Sequence, residues 1–149
     1  MAGFTLVRRI KAAPSIVFDA VTTAEGIANW WGPDEGPVLL SESDPRVGGS
    51  YRLRFRLMDE TEHECSGEFL VVEPPRRVVM TWRWLVGGDD PGQSQVEILL
   101  RAISDGTELT FSHSLLQDQR SSHSHEGGWT GALRKLDVYL AKIAGNQAP

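Results

Sequence analysis

Histidine is the side chain most readily recruited for proton transfer near neutral pH, and His113 has the most informative setting. It lies in an alternating run with Leu109, Phe111 and Leu115, so on a strand its imidazole shares a face with apolar side chains. Burial favours the neutral ring, which offers one donor and one acceptor. Such a ring is either a hydrogen-bonding group for a ligand, a general base in a dry pocket, or a histidine satisfied by a partner inside the core. A second group, His123-Ser124-His125-Glu126, contains residue types that ligate zinc. Its spacing argues against a metal, because residues two apart at a helix start diverge by about 200°. A solvated helix start is expected instead, with Ser124 as N-cap and Glu126 at the positive end of the helix dipole. Cys65 is the only cysteine, so neither an internal disulfide nor a site of paired thiolates is available. In a strand-like run it is expected as a small core residue.

Five tryptophans, Trp30, Trp31, Trp82, Trp84 and Trp129, are a heavy aromatic load for this length, and each buried indole N–H needs an acceptor. Trp82 and Trp84 share a strand face with Val78 and Met80, and that apolar set is the inward one. Trp30 and Trp31 are adjacent in a short helix and are not both expected to face inward, which places one at a cavity rim. The inward set is expected to line a cavity through Phe55, Trp82, Trp84, Ile98, Phe111, His113, Trp129 and Leu133, with Trp30 or Trp31 at its mouth. No nucleophile-elbow, Walker or dinucleotide signature occurs. No catalytic residue is assigned, and neither a metal nor a cofactor is expected.

These side chains need elements to hold them. Phe4 to Ile10 reads as a strand, and Pro14 fits the first position of a helix running to about Val21. Thr22-Thr23-Ala24-Glu25 has capping-box spacing for a second short helix, which Gly32-Pro33 stops. Tyr51, Leu53, Phe55 and Leu57 alternate with Arg52, Arg54 and Arg56, giving a strand with one wet face whose arginines suit cross-strand salt bridges. Strands follow at about Cys65 to Glu73 and Val78 to Leu85. Two more, Gln95 to Ala102 with Val96, Ile98, Leu100 and Ala102 inward and Glu108 to Leu115 with Leu109, Phe111, His113 and Leu115 on one face, are joined through Ser104-Asp105-Gly106. Trp129, Leu133, Leu136, Leu140 and Ile143 recur at helical spacing from about Ser124 to Ile143, with Gly145-Asn146 as a stop. Antiparallel strands with one apolar face, and one long helix with one apolar stripe, predict an α+β domain with helix on sheet.

At 149 residues one core is expected, and the whole chain, 1–149, reads as a single domain. A net charge of −5 with interspersed basic residues lacks the footprint of a nucleic-acid binder. Nothing reads as a leader or a membrane span, so a cytoplasmic location without membrane or nucleic-acid partners is expected.

Several motifs in order carry a family resemblance. They are Ala13-Pro14 with Val17-Phe18-Asp19-Ala20, Trp30-Trp31-Gly32-Pro33, and Asp44-Pro45-Arg46-Val47-Gly48-Gly49. Gly67, Glu73-Pro74-Pro75-Arg76, Met80-Thr81-Trp82, Gly106-Thr107-Glu108-Leu109-Thr110 with His113, and Gly128-Trp129 ahead of Leu133 and Leu136 continue the series. The set resembles the homologues of the activator of heat-shock protein 90 ATPase, within the START-like (SRPBCC) superfamily. The resemblance implies a helix-grip fold, as in Bet v-like proteins: a curved antiparallel sheet of six or seven strands around a long C-terminal helix, with two short helices near the N-terminus. It also implies a cavity for a small hydrophobic or aromatic molecule. The alternatives are a chaperone-modulating interaction module, for which the arginine row is a candidate surface, and a cavity enzyme of cyclase or hydrolase type using His113.

Overall fold

The computed structural model describes residues 2–88 and 91–147, with side chains as far as Ile143. Strand β1 (Ala2–Ile10) leads into helices α1 (Pro14–Thr22) and α2 (Ala24–Ile27). Six strands follow: β2 (Val38–Ser43), β3 (Ser50–Arg56), β4 (Glu62–Glu73), β5 (Arg77–Val86), β6 (Ser94–Ile103) and β7 (Gly106–Leu116). Helix α3 (Gln119–Gln147) ends the described chain. The strands form one curved antiparallel sheet in the order β1-β7-β6-β5-β4-β3-β2.

Alternation sets the inward face. Tyr51, Leu53 and Phe55 of β3 are buried, as are Val78, Met80 and Trp82 of β5, Val96, Ile98 and Leu100 of β6, and Leu109, Phe111 and His113 of β7. On α3 the stripe Trp129, Leu133, Leu136 and Leu140 is buried and Ile143 packs against its edge, in the phase the spacing predicts. The outward arginines of β3 meet carboxylates of β4: Arg52 Nε lies 2.8 Å from Glu64, and Arg54 and Arg56 lie 2.7 and 3.3 Å from Glu62. The row is therefore a ladder of cross-strand pairs, three guanidiniums on two carboxylates.

Local details depart from the sequence reading. Thr23, not Thr22, caps α2, accepting from Gly26 N at 3.0 Å, while the Thr22 hydroxyl turns back to Phe18 O. Strand β2 was not expected at all, since half of Val-Leu-Leu-Ser-Glu-Ser is polar and the strand is a sheet edge. Leu115, expected inward, is exposed with φ of 61°, and Leu116 is buried in its place. The pairing of β1 with β7 jumps from Phe4↔His113 to Ala2↔Leu116, so an extra residue on β7 bulges and re-aims the side chains. Ala102, also expected inward, is exposed next to the β6–β7 turn, past Leu100 where the inward side chains of β6 end. Helix α3 starts five residues before Ser124, with Asp118 Oδ1 accepting from Ser121 N at 2.8 Å, and it runs through Gly145-Asn146.

Candidate functional site

Near one end, the sheet and α3 leave between them a cavity of about 450 Å³, partly open to solvent. One face of the N-terminal half of α3 supplies Ser124, His125, Gly128, Trp129 and Ala132. The facing strands supply Phe55 from β3, His63 from β4, and Trp82 and Trp84 from β5. Trp31, Gly32 and Pro33, from the segment after α2, close one side, and Leu57 and Gly88 complete the rim. No Asp, Glu, Lys or Arg side chain is among these described lining residues.

The wall is an interlocked set of rings. Trp31 stacks on Trp82 with centroids 5.6 Å apart and meets Trp129 edge-on at 4.9 Å. Trp84 crosses Trp82 at 87°, and Phe55 stacks on His63 at 5.7 Å. Most polar atoms of these rings already have partners. Trp84 Nε1 donates to His125 Nε2 at 3.0 Å, while His125 Nδ1 lies 2.8 Å from the Ser121 carbonyl oxygen, one helical turn back. Accepting at Nε2 places the His125 proton on Nδ1. The Trp31 side chain hydrogen-bonds Cys65, whose buried thiol is pushed by desolvation well above its ordinary pKa and so stays protonated and inert.

His113 lies behind this wall. Its Nδ1 accepts from Trp129 Nε1 at 3.1 Å, so its proton sits on Nε2, 2.7 Å from the buried Ser94 hydroxyl. Both nitrogens are committed within the protein. This corrects the expectation that His113 faces the cavity as a ligand group or base, and of the readings open to it the core partner is the one the geometry supplies. Ile98, Phe111, Leu133 and Trp30 are likewise buried but absent from the cavity wall. Trp30 and Trp31 are both buried, contrary to expectation, because they serve different neighbours: Trp30 turns back to donate to Ala20 O at 2.8 Å, and Trp31 turns to the cavity. Of the expected lining, the structure brings together Trp31, Phe55, Trp82, Trp84 and Trp129.

Residues 11–141 match the family described as Activator of Hsp90 ATPase homolog 1-like protein. The chain belongs to that family. Among solved structures, a protein from Chromobacterium violaceum is 27% identical, with a TM-score of 0.84 over 93% of this chain and 96% of its own. The AHSA1 protein from Silicibacter pomeroyi is 30% identical, also with a TM-score of 0.84, over 95% of this chain and 99% of its own. A protein from Mycobacterium smegmatis at 16% identity, TM-score 0.78, covering 93% of this chain and 90% of its own, shares the fold. No curated protein matches significantly.

Within this member of the Activator of Hsp90 ATPase homolog 1-like family, Lys135 ties the cavity together from outside. Its ammonium donates to the Trp31 carbonyl at 2.9 Å and to that of Asp34, clamping the Trp31–Pro33 segment to α3. Partial burial lowers the Lys135 pKa, an effect that nearby Glu35 and Asp34 oppose. The sequence reading missed His125 and His63. The spacing predicts a solvated helix start that includes His125, yet His125 is buried while His123 is exposed. Extending the α3 stripe four residues back from Trp129 reaches His125, and extending the β4 alternation two back from Cys65 reaches His63, which pairs with Phe55. Among the described residues no group of three or more His, Cys, Asp or Glu is placed to hold a metal ion, and no helix is long and apolar enough to cross a membrane.

Proposed function

We propose that this protein binds a small, planar, largely apolar molecule in the cavity between β3–β5 and α3. The observation that carries this reading is the cavity itself: about 450 Å³, accessible from solvent, and walled by Trp31, Phe55, Trp82, Trp84 and Trp129, with no charged side chain among its described lining residues. Small-molecule sites have this make-up, apolar walls with a few polar groups, and a space of a few hundred Å³. Enclosing roughly 250 Å² of ligand surface at about 25 cal/mol per Å² contributes on the order of 6 kcal/mol before association entropy, which corresponds to a Kd of about tens of micromolar at best. The arginine row offers the interaction-module reading no free guanidinium, since Arg52, Arg54 and Arg56 each pair with Glu62 or Glu64. The cavity-enzyme reading loses its base, since His113 is committed to Trp129 and Ser94.

Gly128 gives the test. A Cβ built there meets only Pro33 Cβ, at an ordinary 3.6 Å, so Gly128→Phe can enter the cavity without disturbing the backbone. Four of the five tryptophans line the cavity and report occupancy directly. Titration with planar tricyclic probes is expected to quench their fluorescence saturably, and Gly128→Phe is expected to abolish the response with thermal stability retained. Saturable binding that survives Gly128→Phe would place the ligand elsewhere.

A further inference from the structure

Four indoles line the cavity, and three of their side chains are spent: Trp31 on Cys65, Trp84 on His125 and Trp129 on His113. The fourth is not. Trp82 Nε1 is the one buried side-chain nitrogen or oxygen among the described residues without a hydrogen-bond partner, on a residue only 4% exposed. A buried donor left unpaired forfeits its hydration with no return, and native proteins keep few such groups. The rings crossing Trp82 most steeply, Trp84 at 87° and His125 at 83°, offer an N–H no more than a π face, a weaker partner than a lone pair.

We infer that Trp82 Nε1–H is the orienting donor of the site, and that the ligand class is a planar aromatic molecule carrying an acceptor oxygen, such as a ring ketone. The inference rests on the proposed binding reading and narrows it. The indole face makes Trp82 part of an apolar wall, and its single unspent donor rewards one acceptor atom and no donor. A purely hydrocarbon ligand leaves the N–H as it is. A ligand with an acceptor gains the hydrogen bond without having to break one, because no acceptor among the described residues competes for that hydrogen. The donor is buried in the unliganded structure, so the acceptor reaches it only as the wall adjusts around the ligand.

The test compares 9-fluorenone with fluorene, which have the same planar frame and differ by a carbonyl in place of a methylene. Calorimetric titration of the wild-type protein is expected to show fluorenone binding about 5-fold tighter, the size of one net hydrogen bond. In Trp82→Phe the preference is expected to vanish. Because Trp82→Phe also thins the wall, a second measurement uses the wild-type chain with ¹⁵N-labelled tryptophan. Fluorenone is expected to move the Trp82 indole proton downfield, and fluorene is not. Equal affinities, or a preference accompanied by an unmoved Trp82 indole resonance, overturns the donor assignment and leaves the cavity as a binding site. Binding of neither probe overturns the binding reading together with this inference.

Discussion

Helix α3 carries Gly127, Gly128 and Gly131 within two turns, and their surroundings give single-methyl substitutions opposite signs. Replacing a mid-helix glycine by alanine ordinarily stabilises by about 0.5–1 kcal/mol, because glycine loses more backbone freedom on folding. Gly127 is exposed, and a Cβ there meets nothing within 4 Å, so Gly127→Ala should realise that gain in full. At Gly131 the added Cβ would overlap the carbonyl oxygen of Pro33, a backbone atom that no rotamer change can move aside. Either the helix retreats from the core, disturbing Trp129 and Leu133, or the Trp31–Asp34 segment retreats and strains the two carbonyl bonds to Lys135. Overpacking of this kind costs about 1–3 kcal/mol, which exceeds the propensity gain. A net loss of about 1–2 kcal/mol is expected for Gly131→Ala, or about 2–8 °C in Tm for a chain of this size. Thermal and urea unfolding followed by circular dichroism, with Gly127→Ala measured alongside, decides the matter. Should Gly131→Ala stabilise as much as Gly127→Ala, the close approach of α3 to Pro33 is wrong.

Two further outcomes are expected. His113→Phe should lower stability by about 1–3 kcal/mol by stranding Trp129 Nε1–H, the Ser94 hydroxyl keeping Trp82 O as a partner, while leaving the preference for fluorenone over fluorene intact; loss of that preference in calorimetry would return His113 to the cavity. Glu62 is held below its ordinary value of 4.5 by hydrogen bonds from Arg54 and then Arg56. A carboxyl depressed in the folded state stabilises above its unfolded pKa and loses that contribution as pH falls through the folded value. Urea midpoints should therefore fall on acidification below about pH 4.5, less steeply in Glu62→Gln, and because the pair is solvent-screened the difference is small and shrinks with added salt.

The helix phase and the inward faces of β3, β5 and β6 were legible because burial imposes strict periods of 3.6 and 2, and a stripe such as Trp129, Leu133, Leu136 and Leu140 fits only one of them. What periodicity could not convey was depth along an inward face. Phe55 and Trp82 open onto the cavity, whereas Phe111, His113 and Leu133 share their inward direction but lie behind other rings. That distinction depends on where sheet and helix separate, a property of the assembled layers. The bulge at Leu115 escaped for a related reason, since its cause is the pairing with Ala2 and Phe4 at the far end of the chain. His125 and His63 were legible in principle, and were lost because each lies just beyond the segment over which its period was followed.

The strand order has a consequence for how the chain assembles. Five of its six pairings join strands consecutive in sequence, from β2–β3 through β6–β7, and only β1–β7 reaches across the chain, pairing Arg9 with Glu108. Loop-closure entropy makes the hairpins early and the long-range pairing late. A nascent or partly unfolded chain thus passes through a six-stranded meander whose β7 edge is bare until the N-terminal strand arrives. Any strand that fits that edge can take the vacancy, including β1 of another copy, so crowding during synthesis favours exchange of the first nine-residue strand between molecules, and a chain shortened at its start would expose β7 permanently.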